Sequence, residues 1–196
     1  MSEEKFPDSR TVTTKYGSVV GRRLIYEGDR QVDAFQGIPF AQPPVGKLRF
    51  RRPLPPMPWE GLKSTKSFSP VAIQLGQVGP TSEDILYLNV FTPVWKPNSP
   101  SGFAVLVFIH GGGYATGSAR KFGDIGICRN LCTKNVVVVT VQYRIGYLGF
   151  FSTGDEECPG NLALWDQFLA LKKIFLNLMA ILKRLLSWDT LQEPAA

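Results

Sequence analysis

Two apolar runs, FAVLVFI at 103–109 and VVVVTV at 136–141 with Thr140 its one polar residue, constrain this chain more than any other feature. A half-buried strand alternates apolar and polar residues, whereas a short unbroken apolar run reads as a strand buried on both faces. About 25 residues separate the two runs, enough for a crossover helix. The pair therefore reads as neighbouring strands of a mostly parallel sheet in an α/β fold. The first run delivers the chain directly into His110, Gly111, Gly112 and Gly113. Open α/β sheets place ligands at the carboxyl ends of their strands, so a glycine cluster there suits a backbone that must approach something closely. An unliganded tight turn is the ordinary alternative. Phosphate-loop readings fail, since the chain has neither G-x-x-x-x-G-K-[ST] nor a G-x-G-x-x-G opening a helix.

The remaining pattern supplies the frame. TVTTKYGSVVGRRL reads as a hairpin about Gly17, and VDAFQGIPF and DILYLNVFTP read as strands. Between them, PFAQPPVGKLRFRRPLPPMPW is too proline-dense for a helix or central strand and reads as an ordered wrapping loop. PGNLALWDQFLALKK turns helical, with Leu162, Leu164, Trp165, Phe168, Leu169 and Leu171 as its expected apolar side.

Composition narrows the chemistry. Net charge is +6, but the basic residues are scattered rather than gathered into a phosphate-tracking stripe, so nucleic acid is not an expected partner. Cys128, Cys132 and Cys158 form no even disulfide framework. C-x3-C with the single His110 lacks a fourth zinc ligand, and no metal or cofactor is expected. The N-terminus shows no apolar signal region, and the longest apolar tail stretch, 174–182, is too short for the ~20 residues of a bilayer span.

Five blocks in order, GIPFAQPPVGKLRFRRPLPPMPW, SEDILYLNVFTP, IHGGGYATG, VVTVQYRIGYLGFFS and PGNLALWDQFLALK, together resemble the type-B carboxylesterases. These are the branch of the α/β-hydrolase fold that includes the cholinesterases. The resemblance covers roughly residues 15 to 171 and implies the N-terminal part of that fold, a mostly parallel central sheet preceded by an antiparallel hairpin. It implies hydrolysis of small carboxylic esters through an acyl-enzyme. It assigns Gly112 and Gly113 as backbone donors to the tetrahedral oxyanion. His110 is structural by the same resemblance, and two ion pairs are implied, Arg49–Glu83 and Arg144–Asp166.

The chain also departs from that family. Ala72 and Ile85 stand at the two positions of the family's early disulfide, which fits a reducing, cytoplasmic setting. The loop between them has 12 residues, too short for the cation-binding loop of cholinesterases. No G-x-S-x-G occurs, and no histidine follows His110. After Leu171-Lys172 the family pattern stops. Reading the tail one nucleotide earlier forces glycine across Met179-Ala180 and again across Trp188-Asp189, nine codons later. That is the family's spacing from its G-D-P motif to the nucleophile elbow. The expectation is thus a carboxylesterase portion over 1–171 and a frame-shifted tail over 172–196, inactive for want of serine, acid and base. A basic amphipathic tail helix, or a non-catalytic adhesion-like or regulatory role through protein contacts, are the alternatives. An open edge on NVVVVTVQYR would promote non-specific self-association.

Overall fold

The computed structural model describes residues 6–25, 30–77 and 79–178. A two-residue turn, Lys15-Tyr16, joins β1 (Asp8–Thr14) to β2 (Gly17–Ile25), as the alternation predicts. β3 (Gln31–Pro39) pairs antiparallel with β2 and with β7 (Tyr87–Pro93). A bulge interrupts β3 between Phe35 and Ile38, where Gly37 (φ +76°) turns its N–H onto Asn89 Oδ1 at 3.0 Å. β8 (Ala104–Ile109) and β9 (Val136–Val141) are parallel neighbours in full register. The short strands are β4 (Leu62–Ser64), parallel to β2, and the pair β5 (Val71–Ala72) and β6 (Thr81–Ser82).

The main sheet runs β1-β2-β3-β7-β9-β8 and is mostly antiparallel, which corrects the expectation of a mostly parallel one. The reason is connectivity. A parallel pair needs a crossover, and among the described residues the β8–β9 unit is the helical one, crossing through α1 (Ile125–Asn130). A second correction concerns the open edge. β9 lies between β7 and β8, so among the described residues the edge belongs to β8 and not to NVVVVTVQYR, and β8 is exposed or half-buried throughout where the unbroken run predicts burial on both faces.

Side-chain alternation along β9 divides the core in two. Val137, Val139 and Val141 join Phe35, Phe40, Leu88 and Val90 on one face, under α3 (Leu162–Lys173). Val138 joins Leu24, Val32, Phe91, Ile127, Cys128 and Cys132 on the other, under α1. The three cysteines are buried. Ala72 and Ile85 are both in the first cluster, filling apolar core where the resemblance would place a disulfide.

α3 docks differently from its expected apolar side. Its buried residues are Leu162, Ala163, Asp166 and Ala170, while Leu164, Trp165 and Phe168 face out. The helix comes close through small residues. A Cβ on Gly149, in α2 (Gly146–Phe150), would lie 2.7 Å from the Arg144 carbonyl and 3.1 Å from Ala163 Cβ. The larger apolar residues are left on the opposite side, where Arg52 stacks on Trp165 at 4.1 Å. α3 continues as one π-helical turn, Ile174–Leu178, whose Ile174 is buried in the core while Phe175 and Leu176 are exposed. The rest of the tail, 179–196, lies outside the described residues.

The proline-rich stretch is an ordered wrap. Trp59 donates its backbone N–H to the Tyr16 carbonyl (2.7 Å) and its indole N–H to the Ser18 carbonyl (3.0 Å). Phe50 packs against Tyr147 and Phe151, which also contact each other. No described helix is long and apolar enough to cross a membrane.

Candidate functional site

β8 ends at Ile109, and the next residue turns inward. His110 is buried and stacks on Tyr143 with ring centroids 4.3 Å apart, and the Tyr143 hydroxyl donates to the His110 carbonyl at 2.5 Å. Burial lowers the imidazole pKa, opposed by a contact with the Gly111 carbonyl, so the ring is neutral at pH 7. Stacked under the loop and withdrawn from solvent, it is a prop for the loop rather than an accessible base.

From Gly111 to Thr116 the chain is exposed and belongs to no helix or strand. Gly112 has φ +131°, and a Cβ there would lie 2.1 Å from the Thr116 carbonyl oxygen, so no side chain fits. Gly113 and Tyr114 follow in the left-handed region at φ +59° each. The Gly112 carbonyl accepts from the Ala115 and Thr116 N–H groups, both at 3.1 Å. The Tyr114 carbonyl accepts from the Gly146 N–H at 2.6 Å, and the Tyr114 ring packs on Phe150. With its carbonyls so engaged, the loop leaves N–H groups over. Among the described residues, neither the Gly112 nor the Gly113 N–H has an intramolecular acceptor. Consecutive N–H groups in such a turn form a concavity suited to an anion.

Both ion pairs implied by the resemblance form. Arg144 and Asp166 are almost fully buried. Nε and Nη2 of Arg144 donate to the carboxylate at 2.8 and 2.7 Å, and its backbone N–H adds a third bond at 3.1 Å. The remaining Nη1 donates to the Arg51 carbonyl at 2.9 Å, so one guanidinium ties α3 to the proline-rich wrap. Arg49 meets Glu83 through two bonds of 2.5 and 2.8 Å, but this pair is partly exposed.

The sequence profile of the Carboxylesterase family matches residues 8–180. The chain belongs to the carboxylesterase family. It is similar to a duck (Anas platyrhynchos) protein described as fatty acyl-CoA hydrolase precursor, medium chain, at 42% identity over 86% of this chain and 32% of that protein. Human carboxylesterase 3 is likewise 42% identical, over 85% of this chain and 31% of its own length. The Caenorhabditis elegans esterase cest-33 is 44% identical over 77% of this chain and 29% of its length. The chain thus spans about a third of the curated relatives it matches, their N-terminal portion, and its sheet is that part of an α/β-hydrolase fold.

The fold brings to this carboxylesterase loop a residue that sequence reasoning did not assign a role. Gln74, two positions beyond Ala72, accepts the Gly117 N–H on Oε1 (2.8 Å) and donates Nε2 to the Gly117 carbonyl (3.0 Å). Its signals were a polar residue in an otherwise apolar stretch, VAIQL, and its place two residues after Ala72, where the resemblance puts a glutamine behind the disulfide cysteine.

Proposed function

We propose that residues 111–117 are the oxyanion loop of a carboxylic ester hydrolase, with Gly112 and Gly113 as its donors. The observation that carries this is the pair of unengaged N–H groups at the carboxyl end of β8, in a backbone closed to side chains. Negative charge develops on an ester carbonyl oxygen during acyl transfer, and fixed donors lower that barrier without reorganising. Relatives named as carboxylesterases and as an acyl-CoA hydrolase support a small-molecule ester or thioester as the substrate class.

The 196-residue chain carries no G-x-S-x-G and no second histidine, so it supplies the hole without the nucleophile or base. As this chain it is inactive, with residues 172–196 read out of the family's frame. The absence of disulfide cysteines at Ala72 and Ile85 supports a reducing, cytoplasmic setting.

The test has two arms. The purified chain gives no turnover of a short-chain p-nitrophenyl ester above background and no labelling by a fluorophosphonate. Organophosphate-sensitive turnover refutes inactivity. A chain continued in the shifted frame beyond Lys172 gains that activity, and Gly112→Ala in it lowers kcat by roughly 10²–10³-fold. A kcat unchanged by that substitution refutes the oxyanion role.

A non-catalytic role in protein contact is the second reading. The β8 edge and the adjoining groove lined by Leu106, Phe108, Phe122 and Leu131 favour it. A monodisperse, cooperatively folded monomer that captures a partner through that groove would move this reading ahead.

A further inference from the structure

Donors that stabilise an oxyanion are useful only if held in place beforehand, and the Gly111–Thr116 backbone is exposed, so burial does not hold it. Its geometry rests on discrete ties. Two are backbone bonds already described, the turn closed on the Gly112 carbonyl and the bond from Gly146 to the Tyr114 carbonyl. The third lies where the loop re-enters the fold. At Gly117 (φ +113°) a Cβ would lie 2.3 Å from the Gly111 carbonyl oxygen and 2.5 Å from His110 Nδ1. Entry and exit of the loop therefore touch, and fixing Gly117 fixes the base from which Gly112 and Gly113 project.

The group that fixes Gly117 is the Gln74 carboxamide. A carboxamide presents an acceptor and a donor side by side, as a peptide does, and here it pairs with both backbone groups of one residue. Nε2 is also within 3.2 Å of the Ala72 carbonyl, which orients the amide from its own side. The segment carrying Gln74 is braced in turn. β5 ends two residues earlier and pairs with β6, and Glu83, next after β6, is clamped by Arg49. Arg49, Glu83, Ala72 and Ile73 line one cleft.

We propose that Gln74 is a positioning residue that clasps the glycine loop at Gly117 and keeps the Gly112 and Gly113 N–H groups presented together. This rests on the oxyanion reading of the loop, but it is tested on loop geometry and not on turnover. Asparagine cannot reach the same rung, methionine keeps the shape without the polar pair, and glutamate keeps the acceptor but lacks the donor while ionised.

The experiment is amide hydrogen exchange and ¹H–¹⁵N spectroscopy on the full 196-residue chain and its Gln74→Met and Gln74→Glu variants, with the β9 amides as internal reference. In Gln74→Met the Ala115, Thr116 and Gly146 amides exchange about tenfold faster relative to β9, as expected for losing a pair of hydrogen bonds. The Gly112 and Gly113 resonances shift with them. In Gln74→Glu the same change appears at pH 7.5. It shrinks as the pH falls and the carboxyl is protonated, measured against the wild type at each pH so that His110 titration cancels. A change confined to the Gly117 amide, with Ala115, Thr116, Gly146, Gly112 and Gly113 at wild-type values, overturns the proposal. So does a Gln74→Glu response that does not depend on pH. Loss of the oxyanion reading would show instead in the Gly112→Ala kinetics of the frame-continued chain.

Discussion

Replacing Asp166 by alanine removes the carboxylate that receives three bonds from Arg144, at 2.7, 2.8 and 3.1 Å. Arg144 is 3% exposed and keeps only its Nη1 bond to the Arg51 carbonyl, so a buried cation loses its counter-charge. Breaking a buried pair from one side costs about 3–5 kcal/mol, because the orphaned charge retains its desolvation penalty. In a chain of this size each kcal/mol lowers Tm by about 2–4 °C, so the expected loss is roughly 10 °C. Circular dichroism during thermal and urea unfolding measures it. The companion variant, Arg144→Met with Asp166→Leu, removes both charges and fills the space with apolar atoms. It should recover at least half of the loss, since apolar replacement of a buried pair is often neutral or stabilising. Full recovery is not expected, because the Arg144 backbone N–H is left without an acceptor. The reasoning fails if Asp166→Ala costs less than about 1 kcal/mol, or if the double variant is no more stable than Asp166→Ala.

Three further predictions concern the loop and the edge. Gly112→Ala strains a backbone at φ +131° and drives a methyl into the Thr116 carbonyl. The expected destabilisation is about 1–3 kcal/mol, read by thermal unfolding. Leu106→Lys places a charge on β8, the edge strand among the described residues, at a residue 42% exposed. Sedimentation velocity should then show less self-association with little change in Tm, as edge charges block strand pairing. The sole histidine gives an unambiguous pH test. Burial lowers the folded-state pKa of His110 below its ordinary ~6.5, so its ring-proton signal titrates below that value. As the pH falls through the unfolded value of ~6.5 the unfolded chain binds a proton that the folded chain takes up only at lower pH, so stability falls as pH falls. Above about pH 7 the group contributes no slope, and His110→Gln should flatten the acid limb; a midpoint at or above 6.5 refutes the buried-neutral assignment.

What the sequence determined by itself was local. Two apolar runs meant strands, and for β9, flanked on both sides, a buried one, whereas β8, carrying a similar run, is exposed or half-buried along its length. The hairpin expected about Gly17, whose turn proves to be Lys15-Tyr16, the helix beginning at Leu162 and the glycine turn after β8 followed from alternation, helical period and the freedom of a residue without a Cβ. Tertiary structure decided the rest. Strand order could not be read from the runs, because β8 and β9 carry similar side chains and only pairing puts β9 inside and β8 at the edge. Helix orientation was misread because α3 buries Ala163, Ala170 and the charged Asp166 instead of Leu164, Trp165 and Phe168. Periodicity counts apolar residues, but close packing against Gly149 and a buried guanidinium selected small ones and a carboxylate. The hold of Gln74 on Gly117 spans 43 residues and depends on hydrogen-bond geometry, which no local pattern encodes. Composition and period act along the chain, whereas charge pairing, close approach and donor–acceptor matching act across it and exist only once it is folded.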